Sequence, residues 1–93
     1  MVVGVLTIEL SIPQADSLKD KRRVLKSIKD KVRNAFNVSV AEIGDQDIWR
    51  TARLGIAVIS EDAGYANGVL SRIQDFVRDR TEAIMTNCEL EWR

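Results

Sequence analysis

The chain has 93 residues, 45% of them hydrophobic and 30% charged, and its 14 basic side chains are balanced by 14 acidic ones. That length accommodates one domain with one core; the balance is too apolar for disorder, and no run of about 18 apolar residues is present to span a membrane. Histidine is absent and cysteine occurs once, which removes imidazole-based catalysis, the commonest metal ligand and any internal disulfide.

Residues 2–12 alternate, with Val2, Leu6, Ile8, Leu10 and Ile12 in one row and Val3, Val5, Thr7, Glu9 and Ser11 in the other. This predicts a strand with one buried face. The segment has neither a basic leader nor a small-residue cleavage site, so a signal peptide is not expected; with a lone Cys88, cytoplasm is the expected compartment. Pro13 ends the strand, and Asp16 or Ser17 can cap a helix that runs to about residue 35. On a helical projection Leu18, Val24, Leu25, Ile28, Val32 and Ala35 share the arc that would lie on a sheet. Lys21 falls inside that arc and is expected to snorkel past the sheet edge.

Residues 36–43 predict a short strand, and residues 44–49 a polar hairpin connection in which Asp45, Gln46 and Asp47 compete with regular structure through their side chains. Residues 52–59 form a second central strand, with Leu54, Ile56 and Val58 towards the core and Arg53, Gly55, Ala57 and Ile59 on the other face. Ser60 is read as the cap of a second helix, with Glu61 and Asp62 in its first turn and Ala66, Val69, Leu70, Ile73, Phe76 and Val77 on its apolar face. The helix ends near Arg80. Residues 84–92 complete the pattern as a strand with Thr86, Cys88, Leu90 and Trp92 on one side. The order βαββαβ predicts an α+β, ferredoxin-like sandwich: a four-stranded antiparallel sheet with two helices on one face and the other face bare.

No catalytic constellation, cofactor-binding motif or metal-ligand pattern emerges from this inventory. The glycines are isolated and form no phosphate-cradling loop. Glu42 with Asp45 and Asp47 lacks calcium-loop spacing and reads as a polar hairpin. Cys88, on an apolar strand face, reads as a small hydrophobe. The chain is therefore expected to be non-enzymatic, without cofactor or metal.

Charge distribution carries more information than net charge. Residues 17–36 hold eight Lys and Arg against two Asp, a surplus of six positive charges that the rest of the chain cancels. Lys19, Arg22, Arg23, Lys26, Lys29 and Arg33 fall within one arc of the helix, interrupted only by Asp30. Lys19/Arg23, Arg22/Lys26 and Lys29/Arg33 are like-charged at i, i+4, each costing a few tenths of a kcal/mol. An anionic partner such as an RNA phosphate backbone would offset that cost; so would acidic residues elsewhere in the protein or in a neighbouring subunit, and on sequence alone the solvated or internally paired face is the reading to beat. The bare sheet face lacks the stacking aromatics of RNA-binding domains of this topology. Its small and apolar residues Val3, Val5, Ala57 and Ile59 suit a protein partner or a second copy, which makes a homodimer the alternative functional reading. Trp49 and Trp92 could join such an interface or close one end of the core.

The run Ser17, Leu18, Lys19, Asp20, Lys21, Arg22, the run Phe36, Asn37, Val38, Ser39, Val40, Ala41, Glu42, and the pattern Asp47, Trp49, Leu54, Gly55 resemble the YlxP-like bacterial family over the whole chain. The resemblance implies a ferredoxin-like fold and transfers no activity or catalytic residue. In some bacteria the family's gene lies beside those of translation initiation and ribosome-binding factors, which implies by association a link to RNA or to a ribosomal subunit.

Overall fold

Alternating burial along the first strand sets the architecture. In the computed structural model, which describes residues 1–44 and 48–93, Gly4, Leu6, Ile8 and Leu10 are buried while their odd-numbered neighbours are not. The elements follow as β1 (Val2–Ser11), α1 (Leu18–Ala35), β2 (Ser39–Glu42), β3 (Thr51–Ser60), α2 (Ala63–Arg80) and β4 (Ile84–Trp92). The sheet order is β2-β3-β1-β4 and every pairing is antiparallel. This is the ferredoxin-like sandwich. Leu6, Ile8 and Leu10 of β1 and Leu54, Ile56 and Val58 of β3 meet Val24, Leu25, Ile28 and Val32 of α1 and Val69, Leu70, Ile73 and Val77 of α2 in one core. Asp45, Gln46 and Asp47, read as turn residues, lie outside the described residues.

Both helix starts are capped by side-chain oxygens. Ser17 accepts from Asp20 N–H at α1, satisfying one of the donors that a helix start leaves free. At α2 the cap is Asp62, which accepts from Gly64 N–H, and not Ser60, whose hydroxyl instead accepts from Asp62 N–H one step earlier. The apolar arc of α1 is narrower than its projection: Ala35 is exposed and Leu18 only half-buried. Phe36 does not begin β2; it closes α1 and packs edge-to-face on Phe76, ring centres 5.6 Å apart, so the two helices meet through this pair.

The last strand departs from simple alternation. Glu9 pairs with Asn87, but Leu10 pairs with Met85, which leaves Thr86 as an extra residue in a β-bulge. Thr86 donates its hydroxyl to Glu9 O, and Met85 takes the core-side position the alternating pattern gives to Thr86. Beyond the bulge Cys88, Leu90 and Trp92 lie opposite Ile8, Leu6 and Gly4. Trp92 lies close over Gly4: a Cβ there would stand 2.9 Å from its ring and 2.8 Å from Leu70 Cδ1.

Candidate functional site

The six cations of the stripe occupy the side of α1 turned away from the core, and the structure divides them. Lys26 Nζ donates to Asp30 at 2.8 Å, while Arg33 and Arg23 lie 4.0 and 3.9 Å from Asp30 and Asp20. The hydrogen bond from Lys26, supported by the nearby charges of Arg33 and Lys29, holds the Asp30 carboxyl below its ordinary range. Lys19, Arg22 and Lys29 have no hydrogen-bond or ion-pair partner among the described residues. Lys19 and Arg22 are exposed and Lys29 half-buried.

Arg33 has a structural task that its spacing does not reveal. Its guanidinium donates to Val40 O at 2.6 Å. Ile43 N–H bonds Arg53 O, so the antiparallel alternation turns the Val40 backbone groups outward, away from β3. Arg33 therefore satisfies an edge carbonyl of β2 and shields the edge against a foreign strand. The cationic flank of α1 consequently runs beside the β2 edge of the sheet.

Lys21 is the clearest correction to the helical projection. It does not snorkel to water: it is 1% exposed, donates to Ile48 O at 2.6 Å and lies 3.4 Å from Glu42 Oε2. Its place inside the apolar arc was the visible signal of this role. With Arg50, whose Nε donates to Ala15 O and whose carbonyl accepts from Ile12 N–H, Lys21 fixes residues 48–50 against the start of α1. Glu42 is thereby committed to Lys21, and among the described residues no group of three or more metal-ligating side chains forms.

On the helix-free face of the sheet, Val3 sits beside Ile59 and Val5 beside Ala57. The four interface residues named from sequence thus form one patch, in which Ile59 is 63% exposed and the other three are half-buried. Two rows further on, Glu9 Oε1 lies 3.5 Å from Arg53 Nε. Trp49 and Trp92 are both about half exposed, so neither is enclosed by the core. Cys88 is partly buried, which pushes its thiol pKa up and keeps it protonated at neutral pH.

The fold and these surfaces define a ferredoxin-like α/β sandwich whose distinguishing features are a cationic helix flank and an uncovered sheet face. Residues 3–90 match the model of a protein family of unknown function, DUF503, and the chain belongs to that family. It is 40% identical over 91 residues to the uncharacterized protein YlxP of Bacillus subtilis (strain 168), an alignment covering 98% of this chain and 99% of that protein. Among solved structures it resembles the de novo designed protein Foldit4, with a TM-score of 0.52, 18% identity and coverage of 99% of this chain and 94% of that one. It also resembles the designed protein Ferredog-Diesel, with a TM-score of 0.50, 9% identity and coverage of 96% and 83%. At these identities the designed proteins speak for the fold alone. No helix among the described residues is long and apolar enough to cross a membrane.

Proposed function

We propose that this protein is a non-enzymatic accessory protein that contacts structured RNA, as presented by a ribosomal subunit, through the cationic flank of α1. The observation that carries the reading is the set Lys19, Arg22 and Lys29, which form no hydrogen bond or ion pair among the described residues of a chain that is neutral overall. Among the described residues, only Asp20 and Asp30 come within 4.0 Å of the stripe's cations. Unpaired cations spread along about 15 Å of helix at 1.5 Å per residue can follow a phosphate backbone, releasing counterions with little dependence on base sequence. Lys26 and Arg23 extend the track if phosphate displaces Asp30 and Asp20, whose surface pairings cost little to exchange. The open sheet face, without aromatics on its central strands, offers no base-stacking platform, which favours backbone contact over base readout.

The test is co-sedimentation with ribosomal subunits at low and high salt, beside the variant Lys19→Glu/Arg22→Glu/Lys29→Glu. Pelleting that fades with salt and is lost in the variant is the expected result. Equal pelleting of the variant would remove α1 from the account.

A further inference from the structure

The helix-free face of the sheet is complementary to itself. β1 and β3 run side by side through its centre in the rows Val3/Ile59, Val5/Ala57, Thr7/Gly55 and Glu9/Arg53. In the two middle rows the larger side chain is on β1 and the smaller on β3, and in the last the anion is on β1 and the cation on β3. Beside these rows β3 borders a hollow of about 560 Å³ lined by Gly55, Ala57, Ile43 and Arg53, with the Ile43 side chain lying over Gly55.

A two-fold axis parallel to the strands and midway between β1 and β3 lays β1 of one copy over β3 of the other. Thr7 then faces the partner's Gly55 beside the Ile43 side chain that already lies over it, Val5 covers the partner's Ala57, and each Glu9 faces the partner's Arg53. Facing sheets stand about 10 Å apart at about −30°, a gap that Glu and Arg side chains bridge near the axis. The same operation sets Glu89 and Glu91 of β4 over the small β2 residues Ala41 and Ser39 of the other copy. An axis perpendicular to the strands would instead stack β4 on β4 and oppose acid to acid.

Arg53 has capacity for this second carboxylate. Among the described residues its one ion pair is the 3.5 Å approach of Nε to Glu9, without hydrogen-bond geometry, and its other guanidinium N–H groups have no acceptor there. Strands of 10, 10, 9 and 4 residues, at about 3.3 Å per residue and about 4.8 Å between strands, give a face of about 500 Å² in projection. That lies just under the roughly 600 Å² that each partner gives to the smallest specific interfaces.

We propose that two copies of this chain associate through the open sheet face about this axis, with Glu9 of each copy crossed onto Arg53 of the other. The crossing makes a distinctive demand. Glu9→Arg gives a face with two cations in this row and Arg53→Glu a face with two anions, so neither variant can pair with itself, but each fits the other.

Sedimentation equilibrium of the full chain reads this directly, with circular dichroism to show that each variant is folded. The wild type is expected to be dimeric, each single variant to dimerise at least about tenfold more weakly, and an equimolar mixture to recover the dimer. The double variant Glu9→Arg/Arg53→Glu, which restores the row in reverse within every copy, is expected to dimerise like the wild type and serves where a single variant does not fold. A wild type that stays monomeric to millimolar concentration overturns the proposal. So do folded single variants that dimerise undiminished, or a mixture that stays monomeric.

Discussion

The ammonium of Lys21 lies 2.6 Å from the carbonyl oxygen of Ile48, joining the first turn of α1 to the segment that leads into β3. Glu42 Oε2 is buried 3.4 Å away and has no hydrogen bond of its own, so the cation is what compensates it. Lys21→Met keeps the aliphatic volume and removes the charge, leaving Ile48 O and Glu42 short of a donor. A loss of about 1–3 kcal/mol is expected in urea unfolding. Adding Glu42→Gln should recover part of it, because the uncompensated charge is then gone.

Arg33 and Lys29 lie four residues apart on one flank but should answer differently to removal. Arg33→Ala frees the Val40 carbonyl on the β2 edge, and a loss of about 0.5–1.5 kcal/mol in stability is expected. Lys29→Ala removes no bond found among the described residues and should leave stability within about 0.5 kcal/mol. In RNA titrations over a salt series, Lys29→Ala should reduce the slope of log affinity against log salt by about 0.7–0.9, the signature of one lost phosphate contact.

Asp30 provides a pH-dependent check on the same flank. Its carboxyl is held below the ordinary value of 3.8, first by the hydrogen bond from Lys26 and then by the surrounding cations. A carboxyl depressed by folding stabilises the fold above its unfolded pKa, and that contribution disappears as pH falls through the folded value. Lys26→Ala should raise the Asp30 midpoint towards 3.8, followed by carboxyl chemical shifts in an acid titration, with little change in stability because the pair is exposed.

Gly4 is required by its neighbours. A Cβ would enter the space held by Leu70 Cδ1 and the Trp92 ring, so Gly4→Ala must push β4's last aromatic outward or shift α2. A loss of about 1–3 kcal/mol is expected, with a red-shifted tryptophan emission if Trp92 is the group that yields.

Fold class, element order and both core faces were legible because periodicities of two and of 3.6 residues alternate without ambiguity along 2–12, 18–35, 52–59 and 63–80. Two of the exceptions, Thr86 and Lys21, are a local pattern overruled by a distant partner; the third, Ser60, is a choice between neighbouring caps. Thr86 sits in an alternating run, but the bulge against Glu9 and Leu10 moves Met85 to the core side. Ser60 satisfies the capping pattern, yet Asp62 is two residues closer to where the backbone turns helical. Lys21 reads as a snorkelling cation until Ile48 and Glu42, more than 20 residues away in sequence, close over it. The six cations were legible as a stripe. Which of them are already paired was not, since Arg33's acceptor is a backbone carbonyl exposed only by the sheet's edge geometry.

The central claim, that the unpaired cations of α1 meet a phosphate backbone, is tested most directly by following backbone amide shifts of the isotopically labelled protein as a structured RNA is added at low salt. The account predicts perturbations concentrated at Lys19, Arg22 and Lys29 and their neighbours on α1, reversed when salt is raised. Perturbations confined to the sheet face, or none on α1 at low salt, would contradict it.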